Sequence, residues 1–173
     1  MMTPEFVAAE CAIRQLHADY VDAVWRLDMD AFGDCFTEDA EWRIDGVVMK
    51  GREDIVETNR KNFETNFKRL LLTLRTPSLD VRGSEAFGRT YFSAQNILAD
   101  GTAFAPVGVY YEHFVDEGDR WRVRWRLFDL LYSGPPDMSG QFHDAPDYGP
   151  PPNMPPRDAM PVMRTGMHER SRA

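Results

Sequence analysis

Hydrophobic and polar residues alternate most regularly between Val107 and Leu131, and this stretch predicts the centre of the fold. It contains two runs of strand-forming residues joined by the turn Asp116-Glu117-Gly118-Asp119, a pattern typical of a β-hairpin. Strict alternation predicts a sheet with one buried face and one face that is solvated or covered by a partner. The second run sets four apolar residues against three arginines: Trp121, Val123, Trp125 and Leu127 against Arg122, Arg124 and Arg126.

Glu112 stands out in the first of these two strands. It shares its parity with Tyr110 and Phe114, and a carboxylate between two aromatic residues on a core-facing strand is costly unless it is paired or protonated. Two interpretations remain open at this point. Either Glu112 faces the core as a pocket acid, or the parity is reversed and Glu112 is solvated.

The N-terminal third has the spacing of helices. Thr3-Pro4-Glu5 is a helix start, with a capping hydroxyl, a proline at the first helical position and an acid in the first turn. Apolar residues then recur at intervals of three and four. Tyr20 lies within that stripe and is either a core tyrosine or a pocket acid, because its buried hydroxyl needs a partner. His17 lies beside the stripe and is interpreted as structural.

The remaining elements follow in an order typical of the α+β class, with helices first and antiparallel strands afterwards. The helices are expected to cover one face of a curved sheet. Asp100-Gly101 is a strong hairpin signal, and Pro77 predicts a bulge or an edge in its strand. The predicted elements are a helix from Asp28 carrying Phe32, Cys35 and Phe36 and ended by residues 37–40, a strand 41–45, a helix 53–67 and strands 70–81 and 85–98.

Composition divides the chain into a predicted body, residues 1–132, and an extended tail, residues 133–173. Nine of the twelve prolines and five of the nine methionines follow Ser133. Proline content alone favours disorder of this tail. Interleaved apolar residues instead favour extended packing over a neighbour or over the pocket mouth, which is the preferred interpretation. Those residues are Phe142, Tyr148, Met154, Met160 and Met163.

The net charge and the cysteines limit which binding partners and which cellular compartment are expected. The net charge of −8 argues against nucleic acid or an anionic membrane as a partner. No apolar run approaches the roughly 20 residues that span a bilayer, and the start lacks the pattern of a signal peptide. Cys11 and Cys35 are predicted to be buried thiols in a reducing cytoplasm. With four histidines and no cysteine cluster, neither a metal nor a cofactor is expected.

An ordered set of short motifs resembles the SnoaL-like branch of the nuclear transport factor 2-like superfamily, across about residues 8–132. The set is A-I-R-Q-L-x-x-x-Y at 12–20, F-T-E-D-A-E-W at 36–42, E-A-F-G-R-T-Y-F at 85–92 and Y-x-E-x-F at 110–114. The resemblance implies a cystatin-like α+β barrel. In that fold a strongly curved antiparallel sheet wraps around three N-terminal helices to form a cone with a pocket in its open end.

The chain departs from this family where dehydratase-like members carry a His–Asp dyad. The position of the aspartate falls at Trp25 and that of the histidine at Leu72, while a further acid falls at Ala94. Of these family positions, only the pocket tyrosine is retained, at Tyr20. The base of ketosteroid isomerases falls at Ile44, and Asp45, one residue away, is expected to face the wrong side of the strand.

The resemblance and the strand parities together predict a pocket lined by aromatic rings. The candidate catalytic residues are Tyr20, Glu112 and Arg75. Such a lining suits a flat, hydrophobic, aromatic ligand with a few oriented polar groups. The candidate substrate-binding residues are Trp25, Trp42, Leu72, Phe92, Asn96, Tyr110 and Trp125.

Three functions remain open, and the first is preferred. It is a cofactor-independent lyase that removes water, with or without formaldehyde, from a phenolic substrate such as a lignin-derived dimer, through a quinone methide. Tyr20 or a protonated Glu112 is the acid, and Arg75 holds the phenolate. The second is an isomerase or cyclase acting on a steroid-like or polyketide-like substrate, with Glu112 as proton shuttle and Tyr20 as oxyanion donor. The third is a ligand-binding protein without catalysis.

Self-association as a dimer or trimer is also expected. The face carrying Arg122, Arg124 and Arg126 is either solvated or the contact between copies of the chain.

Overall fold

The computed structural model describes residues 3–143, 148–149 and 151–154 of the chain. Three helices come early and are α1 (Pro4–Arg26), α2 (Met29–Asp34) and α3 (Arg52–Asn66). The strands are β1 (Phe36–Ile44), β2 (Val47–Lys50), β3 (Phe67–Arg69), β4 (Leu72–Leu74), β5 (Ser78–Arg82), β6 (Glu85–Ala94), β7 (Asn96–Leu98), β8 (Ala103–Phe104), β9 (Val107–Asp116), β10 (Trp121–Ser133) and β11 (Gln141–Phe142).

Helix α1 begins where the sequence predicts. The Thr3 side chain accepts a hydrogen bond from the Phe6 amide at 3.2 Å, and Pro4 occupies the first helical position. The helix ends at Leu27, whose φ of 55° places it in the left-handed region. The predicted stripe is buried from Ile13 to Val24, including Tyr20, and His17 beside it is buried too, but its last member, Leu27, is exposed. The helix therefore packs one face against the sheet.

A large, curved, open sheet forms the other layer, so the predicted α+β architecture is confirmed. Its strands run in the order β2-β1-β10-β9-β6-β4, and β5 and β11 add to β6 and β10. All pairs are antiparallel except β1 with β10, which are parallel. A second sheet is formed by β3, β7 and β8. The apolar core lies between the concave face of the large sheet and the helices.

Two predicted boundaries are wrong. Helix α2 ends at Asp34, and Phe36 already belongs to β1, where it lies opposite Val123. A register shift between Phe36 and Glu41 accommodates residues 37–40, which the sequence placed at the end of a helix. The predicted strand 85–98 breaks at Gln95, so that β6 stays in the large sheet while β7 joins the small one.

A β-bulge at Arg124 overturns the predicted parity of β10. Val123 lies opposite Phe114, and Trp125 lies opposite the adjacent residue of β9, His113. Arg124 is therefore an extra residue with no opposite residue on β9. A bulge of this kind transfers every later residue to the other face. Arg126 therefore points into the core, opposite Glu112.

The predicted arginine face does not exist as one surface. Arg126 is completely buried and Arg122 nearly so. Arg122 donates to Asp34, Glu117 and Asp119. Arg124 alone is exposed, and it donates to Asp39 at 3.1 Å. Self-association stays a prediction.

The described parts of the tail contact their own chain. Strand β11 pairs with the end of β10, and Tyr148 and Met154 pack against an outer-face cluster of Val109, Tyr111 and Leu127. Met160 and Met163 lie outside the described residues. Within those residues, no helix is long and apolar enough to cross a membrane. The described part of the chain also holds no group of three side chains suited to bind a metal.

The two cysteines differ in exposure, which corrects one expectation. Cys35 is buried, but Cys11 is exposed on α1. Burial raises the pKa of the Cys35 thiol to about 11, and a thiol in that state is inert. We expect a thiol-specific chromogenic reagent to modify one cysteine in the native protein and both in denaturant. A Cys11→Ser variant should lose the native reaction, and rapid labelling of Cys35 in that variant would contradict the structure.

Candidate active site

A cavity of about 130 Å³ lies at the open end of the cone, between α1, α3 and the large sheet. Its apolar walls include Val24, Ile44, Phe63, Phe92, Phe128 and Leu130. Its polar lining is sparse and consists of Tyr20, Trp42, Asp45, Asn59, Asn62, Asn96 and Tyr110. Walls of this kind, with a few polar groups in fixed places, are typical of a small-molecule site.

The predicted site residues separate into two groups. Six of them line this cavity: Tyr20, Trp42, Leu72, Phe92, Asn96 and Tyr110. The other four do not. Trp125 is on the opposite face of the sheet because of the bulge at Arg124, and its indole donates to Glu41 at 3.3 Å. Glu112 lies in the protein core.

Trp25 and Arg75 lie in a different groove, between α1 and residues 72–77, which comprise β4 and the residues after it. Trp25 is 52% exposed, because it follows Val24 and is therefore rotated away from the buried stripe of α1. Arg75 is exposed at the end of β4, just before the irregularity at Pro77. The expectation that Arg75 holds a substrate oxygen inside the cone is therefore wrong.

Glu112 faces inward, as the first of the two parity interpretations predicts, and it is fully buried. Its Oε1 accepts from Arg126 Nε at 2.9 Å and from Arg126 Nη2 at 2.7 Å. Its Oε2 accepts from Thr90 Oγ1 at 2.8 Å and contacts His17 Nε2 at 3.0 Å. Burial opposes ionisation, but His17 and Arg126 outweigh it and lower the pKa of Glu112 to about 2. Glu112 is therefore a carboxylate and not the protonated acid that the sequence suggested.

His17 belongs to this network, although the sequence indicated only a structural residue. A carboxylate can only accept hydrogen bonds, so His17 Nε2 must carry the proton that it shares with Glu112. His17 Nδ1 is buried without a hydrogen-bond partner among the described residues. The spacing of 95 residues between His17 and Glu112 left no local signal for this contact.

Arg126 completes the network and is enclosed by aromatic rings. Its guanidinium carbon lies 4.4 Å from the ring centroids of Tyr20 and Tyr110, 5.1 Å from that of Trp42 and 5.2 Å from that of Phe36. Such contacts stabilise a desolvated cation. Arg126 Nη1 has no hydrogen-bond partner among the described residues. The positive charge thus lies directly behind the aromatic wall of the cavity.

The inner wall of the cavity carries hydrogen-bond donors. The hydroxyl oxygens of Tyr20 and Tyr110 are 3.4 Å apart, at the long end for a hydrogen bond. Burial raises the pKa of both phenols, that of Tyr110 strongly, so both stay protonated. In the pair, one hydroxyl donates to the other, and the second keeps its proton for a ligand. Trp42 Nε1 is buried and has no acceptor within the described part of the chain. Buried donors normally have an acceptor, and the free proton of the tyrosine pair therefore favours a ligand oxygen at this wall.

Asp45 lies at the mouth of the same cavity. Ile44 pairs with Val47, so Asp45 and Gly46 form a two-residue turn with φ angles of 48° and 80°. Positive φ at both positions is characteristic of a type I′ hairpin, which Asp-Gly favours. The Asp45 side chain is solvent-accessible on one side and borders the cavity on the other. Partial burial raises the pKa of Asp45, and His143 opposes this effect.

Comparison with known proteins agrees with this architecture. Residues 5–126 match the sequence model described as a SnoaL-like domain. The chain belongs to the SnoaL-like family. A comparison with curated proteins gives no match.

Several solved structures have a fold similar to that of this SnoaL-like domain. A candidate aromatic ring hydroxylase from Novosphingobium aromaticivorans is 26% identical, with 75% of this chain and 92% of that chain covered and a TM-score of 0.68. A candidate scytalone dehydratase from the same organism is 18% identical, with coverages of 86% and 98% and a TM-score of 0.73. A hexachlorocyclohexane dehydrochlorinase from Novosphingobium barchaimii is 18% identical, with coverages of 82% and 98% and a TM-score of 0.69.

The positions at which the SnoaL-like resemblance places the missing dyad are neighbours in the structure. The indole Nε1 of Trp25 donates to the carbonyl oxygen of Leu72 at 2.8 Å. Neither side chain can transfer a proton. The acid that this SnoaL-like domain does present to the cavity is Asp45. The expectation that Asp45 faces away is wrong, because Asp45 lies in the turn, where the alternation of strand faces no longer applies.

Proposed function

We propose that this SnoaL-like protein is a cofactor-independent lyase that eliminates water from a phenolic benzylic alcohol. The observation that carries the proposal is the polarity of one small cavity. Two protonated tyrosine hydroxyls lie in its inner wall, and a carboxyl with a raised pKa lies at its mouth. The named activities of the dehydratase and the dehydrochlorinase, both eliminations, support the class of reaction.

The cavity volume sets the size of the group that binds. About 130 Å³ is close to the cavity of about 150 Å³ that holds benzene in an engineered protein. One aromatic ring therefore fills the enclosed space. A lignin-derived dimer, the narrower expectation from the sequence, would bind one phenolic ring inside and leave the second ring at the mouth.

The donor wall suits a phenolate oxygen. One hydroxyl of the Tyr20–Tyr110 pair can donate a hydrogen bond to it, and the charge of Arg126 lies behind both rings. Donors that are already in place stabilise developing negative charge without reorganisation. The substrate phenol releases its proton to water as it binds, and the cavity donors, with the charge of Arg126 behind them, take the role that the sequence assigned to Arg75.

Asp45 then acts as the acid. The phenolate electrons move through the ring, the benzylic carbon–oxygen bond breaks, and the Asp45 carboxyl gives its proton to the leaving hydroxyl. The products are a quinone methide and water, and solvent returns a proton to Asp45. One proton leaves the phenol and one reaches the leaving group, so the reaction needs no cofactor. Positioned acids of this kind contribute roughly 10²–10⁴-fold to a rate.

The separation between the donor wall and the acid favours elimination over the isomerase alternative. The two tyrosines come from α1 and β9, whereas Asp45 lies in the turn between β1 and β2. A para-substituted phenol carries its two oxygens at opposite ends of the ring and can therefore meet groups on different elements. Isomerisation next to a carbonyl requires the acid–base group close to the oxyanion donors.

A screen by mass spectrometry tests the proposal. The purified protein is incubated, without added metal or cofactor, with phenolic benzylic alcohols, lignin-type dimers and hydroxysteroids. Loss of water, or of water and formaldehyde, from phenolic substrates alone is the expected result. A new isomer of unchanged mass would support the isomerase alternative. A ligand that raises the melting temperature but is recovered intact would overturn the assignment as an enzyme.

A further inference from the structure

Tyr148, which follows the folded body in the chain, contacts the turn that carries Asp45. The Tyr148 hydroxyl accepts a hydrogen bond from the Gly46 amide, and the Tyr148 carbonyl accepts one from Arg43 Nη1 at 3.3 Å. These residues are about a hundred positions apart in the chain and come together only in the fold. One contact holds Arg43, near the end of β1, and the other holds Gly46, in the turn that follows.

The Gly46 amide is the group that most directly fixes Asp45. It belongs to the peptide unit that joins Asp45 to Gly46, so its orientation is set by the backbone of Asp45. In a two-residue hairpin this amide is not used by the ladder, which closes at Ile44 and Val47. The Asp45 carboxyl itself has no hydrogen bond or ion pair within the described residues. Its position therefore depends on the backbone of the turn.

Tyr148 is itself well anchored. Its ring packs beside Met154 on the outer-face cluster of Val109, Tyr111 and Leu127. His143, from the same segment, donates its backbone amide to Leu131 and pairs its ring with Ser133 Oγ at 2.5 Å. His143 is the titratable group that acts on Asp45 among the described residues. Tyr148 and His143 are thus each held by contacts with the body of the protein.

We propose that Tyr148 is part of the active site, as a positioning residue for Asp45. This inference rests on the proposed function. By holding the Asp45–Gly46 peptide, the Tyr148 hydroxyl keeps the carboxyl at the rim of the cavity, where it meets the leaving group. A displacement of about 1 Å in such a group is enough to cost up to about a hundredfold in rate.

The test is Tyr148→Phe in the full chain, with Tyr91→Phe on the outside of β6 as the matched control. The ring of the variant still packs, and only the hydroxyl is lost. We expect Gly46 amide exchange to accelerate about tenfold, in line with the loss of one hydrogen bond. We also expect the titration midpoint of the Asp45 carboxyl carbon, followed by NMR, to move towards its ordinary value. With a phenolic benzylic alcohol, kcat should fall about tenfold or more while KM changes little.

The readouts separate the two claims. If Gly46 exchange and the Asp45 titration in Tyr148→Phe match those of Tyr91→Phe, the positioning role is wrong, whatever the enzyme does. If both change as expected but the unaltered protein turns over no phenolic carbinol, the proposed function is wrong and the structural link stands. A loss of kcat in Asp45→Asn without any loss in Tyr148→Phe overturns this inference alone.

Discussion

Replacement of Glu112 by glutamine is expected to lower the free energy of unfolding by about 3–5 kcal/mol, as removal of one partner of a buried ion pair does. Arg126 and Glu112 are both fully buried, so the substitution leaves a cation in the core without its counter-ion. The contact with His17 changes as well, because the amide offers one acceptor in place of a carboxylate. Equilibrium unfolding in urea, with circular dichroism as the signal, measures the effect.

Glu85→Gln is the matched control for this substitution. Glu85 also contacts a histidine, His113, at 3.1 Å, but the side chain of Glu85 is 47% exposed. An exposed pair contributes about 0–1 kcal/mol, so the control should be nearly neutral. A double variant, Glu112→Gln with Arg126→Met, removes both charges and should be more stable than the sum of the two single losses predicts. Equal effects of Glu112→Gln and Glu85→Gln would contradict the account.

The lowered pKa of Glu112 predicts how the free energy of unfolding depends on pH. The pKa of Glu112 is lowered from an ordinary value of 4.5 to about 2 in the folded protein, a difference that corresponds to about 3 kcal/mol. Because the folded value is the lower one, this stability is present above the unfolded pKa. It is lost as the pH falls from about 4.5 towards about 2. Glu112→Gln should flatten that part of the acid-unfolding curve.

Replacement of Asp45 by asparagine is expected to reduce kcat by about 10²–10⁴-fold, the usual contribution of a positioned acid. Asparagine has the same shape and tolerates the left-handed backbone of this turn, so the fold and KM should change little. The pH dependence of activity provides an independent test of this role. Activity of the unaltered protein should fall as the pH rises through the raised pKa of Asp45, and the variant should lack that decline.

Asp30→Asn is the control for Asp45. Asp30 is exposed in the first turn of α2 and does not line the cavity. Its substitution should leave both kcat and the pH profile unchanged. If Asp45→Asn retained full activity with the ordinary pH profile, the acid would have to be sought elsewhere in the cavity.

Local signals in the sequence predicted much of the fold. The cap at Thr3 and the hairpin at Asp116–Asp119 each depend on a few neighbouring residues with fixed backbone preferences, and both are present. The burial of Glu112 was also within reach, because its parity follows from the aromatic residues beside it. The Asp45-Gly46 pair carried a hairpin signal of the same kind. Treating Asp45 as the next residue of a strand, rather than as part of the turn, concealed it.

Contacts distant in sequence account for what the sequence could not predict. The bulge at Arg124 has no residue signature, yet it sends Arg126 inward and Trp125 outward. An alternation of arginines with apolar residues is indistinguishable from an exposed charged face until the register of the partner strand is known. The His17–Glu112 contact and the Tyr148–Gly46 contact likewise arise from packing. The sequence therefore named the tyrosines of the cavity but could not show the buried charge behind them or the contact that holds the turn.

The most direct test of the proposed elimination is exchange of the benzylic oxygen in water enriched in heavy oxygen. A quinone methide adds water again, so turnover of para-hydroxybenzyl alcohol should introduce the heavy isotope into the recovered alcohol, as detected by mass spectrometry. The meta isomer is the control, because its phenolate cannot push electrons to the benzylic carbon. We predict protein-dependent exchange of the para isomer only, without added cofactor, and its loss in Asp45→Asn. Exchange of neither isomer, or of both alike, would contradict it.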